Sequence, residues 1–371
     1  MLDMRTPIRF FMGVNTPGGF VGFLDDLYDA DDGWRAFLLK GGPGTGKAAL
    51  LRRVSEHMSA RGQEAHAIIC ALNPDSLDGL VFPEIKVCVI DANAPHVVEP
   101  KCWGAVEQIV NLSTCMDANA LYSRADEIND IAADCGALNT RCRKFIGAAA
   151  TLLNDSFRIA LDCTDLSKIQ RSAARIAARE FGAHSDRPGR ERRRFLSAIT
   201  PEGVIVFQET IQAMCPRIYS IEDEQGASSR LLLEELKKRA LDTGYDVIGC
   251  YCPFSARDKI EHLLIPSIGI GFTTSNTWHK ADFPVYRRIH AARFTNSERL
   301  RQRRQLMSFN RRAARELINE AVVITGEIKD YMQKTEHIYN DYMDHDGADM
   351  LGDWLISELD EILEENGAFH D

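Results

Sequence analysis

The sequence lacks both a long apolar run and an excess of positive charge. No apolar stretch approaches the roughly 20 residues that a helix needs to cross a bilayer. Its 44 Lys and Arg residues are outnumbered by 54 Asp and Glu, which gives a formal net charge of −10. Such a charge disfavours general binding to nucleic acid or to anionic membranes. Met1–Pro7 contains an early acid and a proline and does not match a secretory signal. We therefore expect a cytoplasmic protein, with no membrane partner and no nucleic-acid partner.

Cysteine pairs at metal-ligand spacing are also lacking. The chain has ten cysteines, and only Cys250 and Cys252 lie close together in the sequence. A cysteine metal site would need a second pair at ligand spacing. The others, such as Cys70 and Cys88, are scattered through apolar segments, as expected for small buried residues in a reducing compartment.

The length and composition are those of a soluble globular protein with more than one core. The chain has 371 residues, of which 45% are hydrophobic and 26% are charged. A single hydrophobic core rarely extends over so many residues, so two domains are the first expectation.

One glycine-rich loop carries the clearest chemical signal. It follows the apolar residues Ala36–Leu39 and precedes a helix-like stretch, which is the context of a phosphate-binding P-loop. Glycines let successive backbone N–H groups face an anion, and the N-terminus of a helix adds a partial positive charge. We expect the nucleotide to contact Gly41, Gly42, Pro43, Gly44, Thr45, Gly46, Lys47, Ala48 and Ala49.

The loop lacks the hydroxyl that normally follows its lysine. A P-loop ends in Lys-Ser or Lys-Thr, and that hydroxyl binds Mg²⁺, whereas here Ala48 follows Lys47. We expect Lys47 to reach the β- and γ-phosphates. Phosphate binding is expected to survive the change at Ala48 better than catalysis does.

An acid at the end of a later apolar strand supplies the candidate metal ligand. The run Ile85–Asp91 predicts a strand whose carboxyl end lies beside the loop, and there Asp91 could hold Mg²⁺ directly or through water. Ala92 replaces the glutamate that fast ATPases use to polarise water. Asn93 and His96 lie where a γ-phosphate sensor could be, with a structural or sensing role favoured over a catalytic one for His96. For Asp78, a turn with Gly79 is favoured over support of the metal shell.

Landmarks recur along the chain at an offset of 182–184 residues, which predicts an ancestral tandem duplication. The matched pairs are Thr16-Pro17 with Thr200-Pro201, Cys70 with Cys252, Pro83 with Pro266, Asn93 with Asn276, and His96 with His279. In this alignment Lys47 falls on Ser229, and acids occupy 222–224. Negative charges there would repel phosphates, so the second copy is expected to keep the fold without binding a triphosphate.

Each half predicts an α/β core with a parallel sheet, followed by a helical appendage. In the first half the strands are expected at 35–40, 65–70 and 86–90 and the helix at 47–60, with helical stretches at about 104–182 and 293–365. The segment 186–191 has the composition of a linker. The domains are then 1–103, a P-loop core; 104–186, helical; 187–283, a degenerate second core; and 284–371, helical.

These motifs together resemble an uncharacterised bacterial family of tandem P-loop ATPase-like proteins. The resemblance rests on Asn15–Phe20, Leu39–Lys47, Ser76–Gly79 and Asp91–His96, and in the second copy on Ala198–Gly203 and Ile260–Pro266. Family members usually carry an intact Lys-Ser or Lys-Thr ending, often in both repeats. The departures at Ala48 and in the second loop are expected to impair hydrolysis more than binding.

The sequence thus predicts an ATP-binding protein with Mg²⁺ as its metal, in which Lys47 and Asp91 would carry any catalysis. Hydrolysis is expected to be slow or absent, and the protein to act as a nucleotide-dependent switch with a protein partner or a small-molecule substrate. A small-molecule kinase and a scaffold without nucleotide chemistry stay open as alternatives.

Overall fold

The chain forms two compact units, each built from discontinuous segments. The computed structural model describes residues 7–182, 185 and 187–368. Unit 1 consists of the described residues up to Gly13, of Gly22–Arg141 and of the described residues from Ile324 onward. Unit 2 consists of Val14–Val21 and the described part of Cys142–Val323. The division into four consecutive segments made from the sequence stays a prediction.

The described part of the first half contains eight strands, with one α-helix between the fourth and fifth strands and three further α-helices after the eighth. In chain order these elements are β1 (Arg9–Phe10), β2 (Gly13–Thr16), β3 (Gly19–Gly22), β4 (Arg35–Lys40), α1 (Lys47–Ala60), β5 (His66–Ile69), β6 (Leu77–Phe82), β7 (Val87–Asp91), β8 (Glu107–Asn111), α2 (Ala118–Tyr122), α3 (Ala125–Leu161) and α4 (Leu166–Glu180). The strands and the helix expected around the glycine-rich loop are confirmed within about a residue.

The second half repeats this pattern and ends in three helices. Its elements are β9 (Glu191–Arg194), β10 (Ser197–Thr200), β11 (Gly203–Val206), α5 (Gln208–Met214), β12 (Arg217–Glu222), α6 (Ala227–Asp242), β13 (Val247–Tyr251), β14 (Ile260–Ile265), β15 (Ile270–Ser275), β16 (Arg287–His290), α7 (Ser297–Gln302), α8 (Arg304–Asn340) and α9 (His345–Ala368). Asp186, the first residue of the expected linker, lies outside the described residues, and Glu191 already belongs to β9.

The two sheets have the same topology, which supports the internal repeat. Within the described residues the first sheet has the order β1-β5-β6-β7-β4-β8, and the second has β9-β13-β14-β15-β12-β16. Equivalent neighbours run in the same relative directions: three pairs in each sheet are parallel, and the two pairs that involve β6 or β14 are antiparallel. Each half also contributes one two-stranded hairpin, β2–β3 or β10–β11. Both sheets are therefore mixed and mostly parallel.

Two details differ from the sequence prediction. Asp78 and Gly79 do not form a turn but lie inside β6. Residues 107–111, predicted as the start of a helical stretch, form β8 and pair with β4. Burial explains β8, because Glu107 and Val110 are 1% exposed and Tyr28 donates a hydrogen bond to the Glu107 carboxylate.

Helix α1 begins and ends next to glycines with positive φ, and one face of it is buried. Gly46 caps the N-terminus with φ 83°, and Gly62, with φ 80°, follows the C-terminal cap Arg61. Its buried side chains are Leu50, Leu51, Val54 and Met58. Burying each such side chain fully stabilises the fold by about 1.5–3 kcal/mol.

The late helix α9 lies against α1 within unit 1. Arg53 pairs with Asp353, and His57 Nε2 lies 2.8 Å from Asp360 Oδ1. Trp354 of α9 meets the ring of Phe37 in β4 edge to face, at 6.4 Å between centroids. The C-terminal helix therefore completes the core of the first sheet.

In unit 2, α4 and α6 cover one face of the second sheet. Ile169 and Ile176 of α4 share a buried cluster with Leu232 of α6 and with the ring pair Tyr219 and Phe272, whose centroids are 5.0 Å apart. The helices that follow each half in sequence thus supply core to the unit that contains the other half's sheet.

The long helices α3 and α8 pack together. In unit 2, Ala149 of α3 forms a buried cluster with Ala314 and Ile318 of α8. Asn310 donates hydrogen bonds to Asp155, at 2.8 Å, and to Ser156, at 3.2 Å. Among the described residues, the helices include none long and apolar enough to cross a membrane.

Candidate functional site

The glycine-rich loop connects the carboxyl end of β4 to the first residue of α1. Gly44 and Gly46 have φ of 74° and 83°, values that L side chains rarely adopt. The Thr45 side chain is buried and donates a hydrogen bond to the Gly42 carbonyl at 2.9 Å. Pro43, Gly46 and Ala49 are exposed, whereas Ala48 is half-buried. The loop is thus held by its own side chain while part of its backbone faces solvent.

Lys47 is the first residue of α1, and its side chain reaches back over the loop. Its ammonium donates hydrogen bonds to the carbonyls of Gly41, at 2.9 Å, and Gly42, at 2.7 Å. It also lies 3.7 Å from the carboxylate of Asp91. The side chain is 11% exposed, and that of Asp91 is 20% exposed. The structure therefore brings together the two residues that the sequence singled out most strongly.

Strand register explains why Asp91 reaches the loop. Strands β4 and β7 are parallel neighbours, and Leu39 is paired with Asp91. Since the carboxyl ends of parallel neighbours lie at one edge of a sheet, the last residue of β7 is beside the start of the loop. This edge is where ligands of open α/β sheets commonly bind.

The side chain of Asn93 forms hydrogen bonds at the carboxyl ends of both β4 and β7. Its side-chain oxygen accepts a hydrogen bond from the Gly41 N–H at 3.1 Å, and its amide donates to the Leu39 carbonyl at 3.1 Å. The same amide donates to the Asp91 carboxylate at 2.5 Å. These contacts give Asn93 a positioning role in this structure. The spacing along the sequence indicated its place, and the three contacts required the structure.

Asp78 and His96 form a nearly buried pair beside this edge. His96 Nε2 lies 3.0 Å from Asp78 Oδ2, and the two side chains are 10% and 12% exposed. Desolvation lowers the pKa of His96, but the charge and hydrogen bond of Asp78, together with the charge of Asp91, outweigh it and raise the pKa above its ordinary value. The pair therefore links β6 to the loop after β7.

A β-bulge places Asp78 in this position. In the β5–β6 pairing, Ile68 is opposite Gly79 and Ile69 is opposite Leu77, so Asp78 is the extra residue. A bulge locally changes the direction of side chains that strict alternation would fix. The Asp-Gly pair was expected as a turn. It instead forms part of a bulge within β6, from which the carboxylate of Asp78 reaches His96.

The end of α8 covers the glycine-rich loop, and nothing in the sequence pattern indicated this. A Cβ added at Gly42 would lie 2.8 Å from the Tyr339 ring, and one at Gly44 would lie 2.2 Å from the Glu336 carbonyl oxygen. Desolvation raises the pKa of the Glu336 carboxyl, an effect that the nearby Lys47 charge partly opposes. All of these residues belong to unit 1. The loop therefore contacts a helix that lies about 290 residues away in sequence.

In the second copy a shorter turn stands in place of the loop, and the side chain of Asp223 accepts hydrogen bonds from backbone N–H groups of that turn and of α6. Gly226, with φ 74°, caps α6 as Gly46 caps α1, which puts Ala227 rather than Ser229 at the position of Lys47. Asp223, 6% exposed, accepts hydrogen bonds from the N–H groups of Ser229, at 2.8 Å, and Gln225, at 3.2 Å. The Asp223 carboxyl group thus accepts from one amide at the start of the helix and one in the turn before it, where an external phosphate would bind in a P-loop.

Comparisons with known proteins give no match: no family model, no curated protein and no solved structure is similar to this chain. What is established is the class, two α/β units that each contain a mixed, mostly parallel six-stranded sheet.

Proposed function

We propose that unit 1 binds ATP with Mg²⁺ through the loop Gly41–Lys47 and acts as a nucleotide-dependent switch with slow or absent hydrolysis. The observation that carries the proposal is the convergence of three features at one sheet edge. These are a glycine-rich loop leading into a helix N-terminus, the ammonium of Lys47, and the carboxylate of Asp91 3.7 Å from that ammonium.

The residues fit a triphosphate better than they fit its metal. Backbone N–H groups at the start of α1 and the ammonium of Lys47 would hold phosphate oxygens. Asp91 would hold Mg²⁺, whose charge would neutralise the phosphates. Ala48 supplies no hydroxyl, so a water would have to take that ligand position. Mg²⁺ demands nearly ideal octahedral geometry, and weaker metal binding and slow turnover are therefore expected.

Two features support a switch over a rapid hydrolase. Ala92, which is fully buried, follows Asp91 where fast ATPases carry a glutamate. The loop also contacts Glu336 and Tyr339 at the end of α8. A γ-phosphate that binds Lys47 would compete with the acid at position 336, and this competition couples nucleotide binding to the position of the helix.

A thermal-shift panel tests the proposal. ATP, ADP and GTP are added to the full chain with and without Mg²⁺, and the variants are Lys47→Ala and Ala48→Thr. A ligand that binds only the folded state at 100 times its Kd stabilises it by about 2.7 kcal/mol. We expect Mg-ATP to stabilise the wild type, Lys47→Ala to abolish the shift, and Ala48→Thr to strengthen its dependence on Mg²⁺.

Arg52→Ala is the matched control. Arg52 is an exposed cation on the same helix, so its loss changes the net charge by the same amount without touching the loop. The proposal is contradicted if no nucleotide shifts the wild type or Ala48→Thr, or if Arg52→Ala weakens the shift as much as Lys47→Ala does. The first result would favour a scaffold without nucleotide chemistry.

A further inference from the structure

Unit 2 contains a cavity of about 670 Å³ at the sheet edge that corresponds to the loop edge of unit 1. It is bounded by the β10–β11 hairpin, by the turn between β12 and α6, and by faces of α3 and α8. Glu261 and His279 lie in its wall. The volume is within the range of small-molecule sites.

Two histidines and a carboxylate converge beside this cavity, and two of the three residues, Glu261 and His279, lie in its wall. Glu261, His262 and His279 each present one ligand atom, and these atoms lie within 4.8 Å of one another. The three residues are 4%, 2% and 7% exposed. Two imidazoles and one carboxylate form a donor set that binds zinc in catalytic sites and ferrous iron in oxygenases.

A β-bulge makes the convergence possible. Glu261 and His262 are adjacent in β14, and in a regular strand they would point to opposite faces. In the β13–β14 pairing, Cys250 is opposite His262 and Tyr251 is opposite Ile260, so Glu261 is the extra residue. The bulge breaks the alternation of side chains and brings the carboxylate and the imidazole within reach of each other.

Hydrogen bonds leave the Nε2 atom of His262 available as a ligand. Its Nδ1 lies 2.7 Å from the Thr273 hydroxyl, whose own proton is directed 3.3 Å to the Thr274 carbonyl. This arrangement assigns the imidazole proton to Nδ1. Among the described residues, Nε2 then has no hydrogen-bond partner, although the side chain is buried. A buried acceptor without a partner is unfavourable and requires an explanation.

His279 is oriented in a similar way. Its Nδ1 lies 3.1 Å from the Thr274 carbonyl, which can only accept, so Nδ1 carries the proton. Its Nε2 lies 3.3 Å from the Asn276 side-chain nitrogen and 3.5 Å from the Glu261 carboxylate. Histidine metal ligands are typically oriented in this way, with the other ring nitrogen donating to a carbonyl or hydroxyl.

We propose that Glu261, His262 and His279 bind one divalent transition-metal ion, with zinc as the reference ion. Imidazole nitrogen suits metals of borderline softness and disfavours Mg²⁺ and Ca²⁺, which prefer oxygen ligands. Zn–N bonds of about 2.0–2.1 Å require a small inward movement of the donors. Three protein ligands leave a coordination position open toward the cavity, as in catalytic zinc sites.

Lys259 competes with the metal for the same carboxylate. Its ammonium donates a hydrogen bond to Glu261 Oε1 at 2.9 Å. A cation at the site would be repelled by this ammonium until it moved away. The proposal therefore predicts that Lys259→Met binds zinc more tightly than the wild type does.

Unit 1 provides an internal comparison. The equivalent bulge residue there is Asp78, which pairs with His96, but Gly79 stands where β14 has His262. The first copy thus has two of the three donors, and it should not bind the ion.

Zinc titration of the chelator-treated full chain by calorimetry tests the proposal, with Co²⁺ as a spectroscopic substitute. The variants are His262→Asn and His279→Asn, because an asparagine amide can keep the Nδ1 hydrogen bond while Nε2 is removed. His96→Asn, in unit 1, is the control. We expect one ion per chain, and a loss of affinity in either unit 2 variant of more than roughly 100-fold, which exceeds the 10–100-fold typical of an outer-sphere change. The control should not change.

Three outcomes would overturn the proposal. These are the absence of zinc binding to the wild type, unchanged affinity in His262→Asn, and a Co²⁺ spectrum dominated by thiolate charge transfer, which would place the ion on cysteines. Lys259→Met controls for misfolding. This variant should bind zinc more tightly than the wild type, and a loss of structure could not produce tighter binding.

Discussion

The contact between the glycine-rich loop and α8 leads to a quantitative prediction about two glycines. Gly44 and Gly46 both have positive φ, 74° and 83°. They differ in surroundings: a Cβ at Gly44 would lie 2.2 Å from the Glu336 carbonyl oxygen, whereas a Cβ at Gly46 would have nothing within 4 Å. Alanine substitutions at the two positions therefore share one cost and differ in another.

The shared cost is backbone strain. An L residue in the left-handed region costs roughly 1–2 kcal/mol, and this is the whole effect expected for Gly46→Ala. At Gly44 the new methyl must also displace the backbone of α8, and overpacking of this kind typically adds about 1–3 kcal/mol. We expect Gly44→Ala to lower the free energy of unfolding by about 2–5 kcal/mol in total.

Urea denaturation followed by tryptophan fluorescence measures the difference. Of the four tryptophans in the chain, Trp34, Trp103 and Trp354 belong to unit 1, so the signal reports mainly on the unit that contains the loop. Amide hydrogen exchange in the last turns of α8 should also increase in Gly44→Ala and stay unchanged in Gly46→Ala.

Equal destabilisation by the two substitutions would refute the reasoning. It would mean that α8 does not lie on the loop in solution, and the coupling suggested for the switch would lose its structural basis. Equally faster exchange in α8 in both variants would also contradict the reasoning, because a Cβ at Gly46 has nothing within 4 Å and the effect could not then come from the contact at Gly44.

Two further predictions concern charged residues in unit 1. Glu336→Gln should tighten nucleotide binding, because it removes an anion that competes with phosphate for Lys47; nucleotide titration by calorimetry checks this, and unchanged or weaker affinity would contradict it. His96 has a folded-state pKa raised above its ordinary value of 6.5, so its contribution to stability is fully present below pH 6.5 and is lost as the pH rises through the folded-state pKa. Asp78→Asn should flatten this pH dependence in urea melts from pH 5 to 9, and a slope identical to that of the wild type would argue against the pair as its source.

The sequence predicted the elements around the loop well, for local reasons. The glycines at 44 and 46 require positive φ, the apolar residues before them form a strand, and those after them repeat at helical spacing. Each of these signals lies within a few residues of the feature that it predicts. The same applies to Asp91, which a short apolar strand carries to the sheet edge.

The bulges and the swapped helices could not be predicted in this way. A bulge at Asp78 or Glu261 is defined by the register of a partner strand, and one strand's own residues do not encode that register. The packing of Trp354 on Phe37 joins residues more than 300 positions apart, and helical periodicity identifies only that α9 has an apolar face.

The repeat makes the divergence of the two copies informative. Both have the same strand order, an acidic residue at the bulge (Asp78 or Glu261), and a histidine after the strand that follows it, β7 or β15. At the loop they differ in charge: Lys47 offers a cation in the first copy, whereas in the second copy the carboxyl group of Asp223 accepts a hydrogen bond from the Ser229 N–H at the start of α6. A phosphate would gain a cation at the first edge and would have to displace a buried carboxylate at the second.

Next to the bulge, the second copy has a ligand side chain that the first copy lacks. Gly79 cannot accept a side chain without crowding, since a Cβ there would lie 2.9 Å from Ile90, whereas His262 at the same place carries an imidazole. The second copy thus lost a cation at its loop and has a nitrogen donor at its bulge that the first copy lacks. The two proposed sites therefore differ in ligand class, an anion in unit 1 and a cation in unit 2. Chelation should accordingly leave Mg-independent nucleotide binding to unit 1 intact.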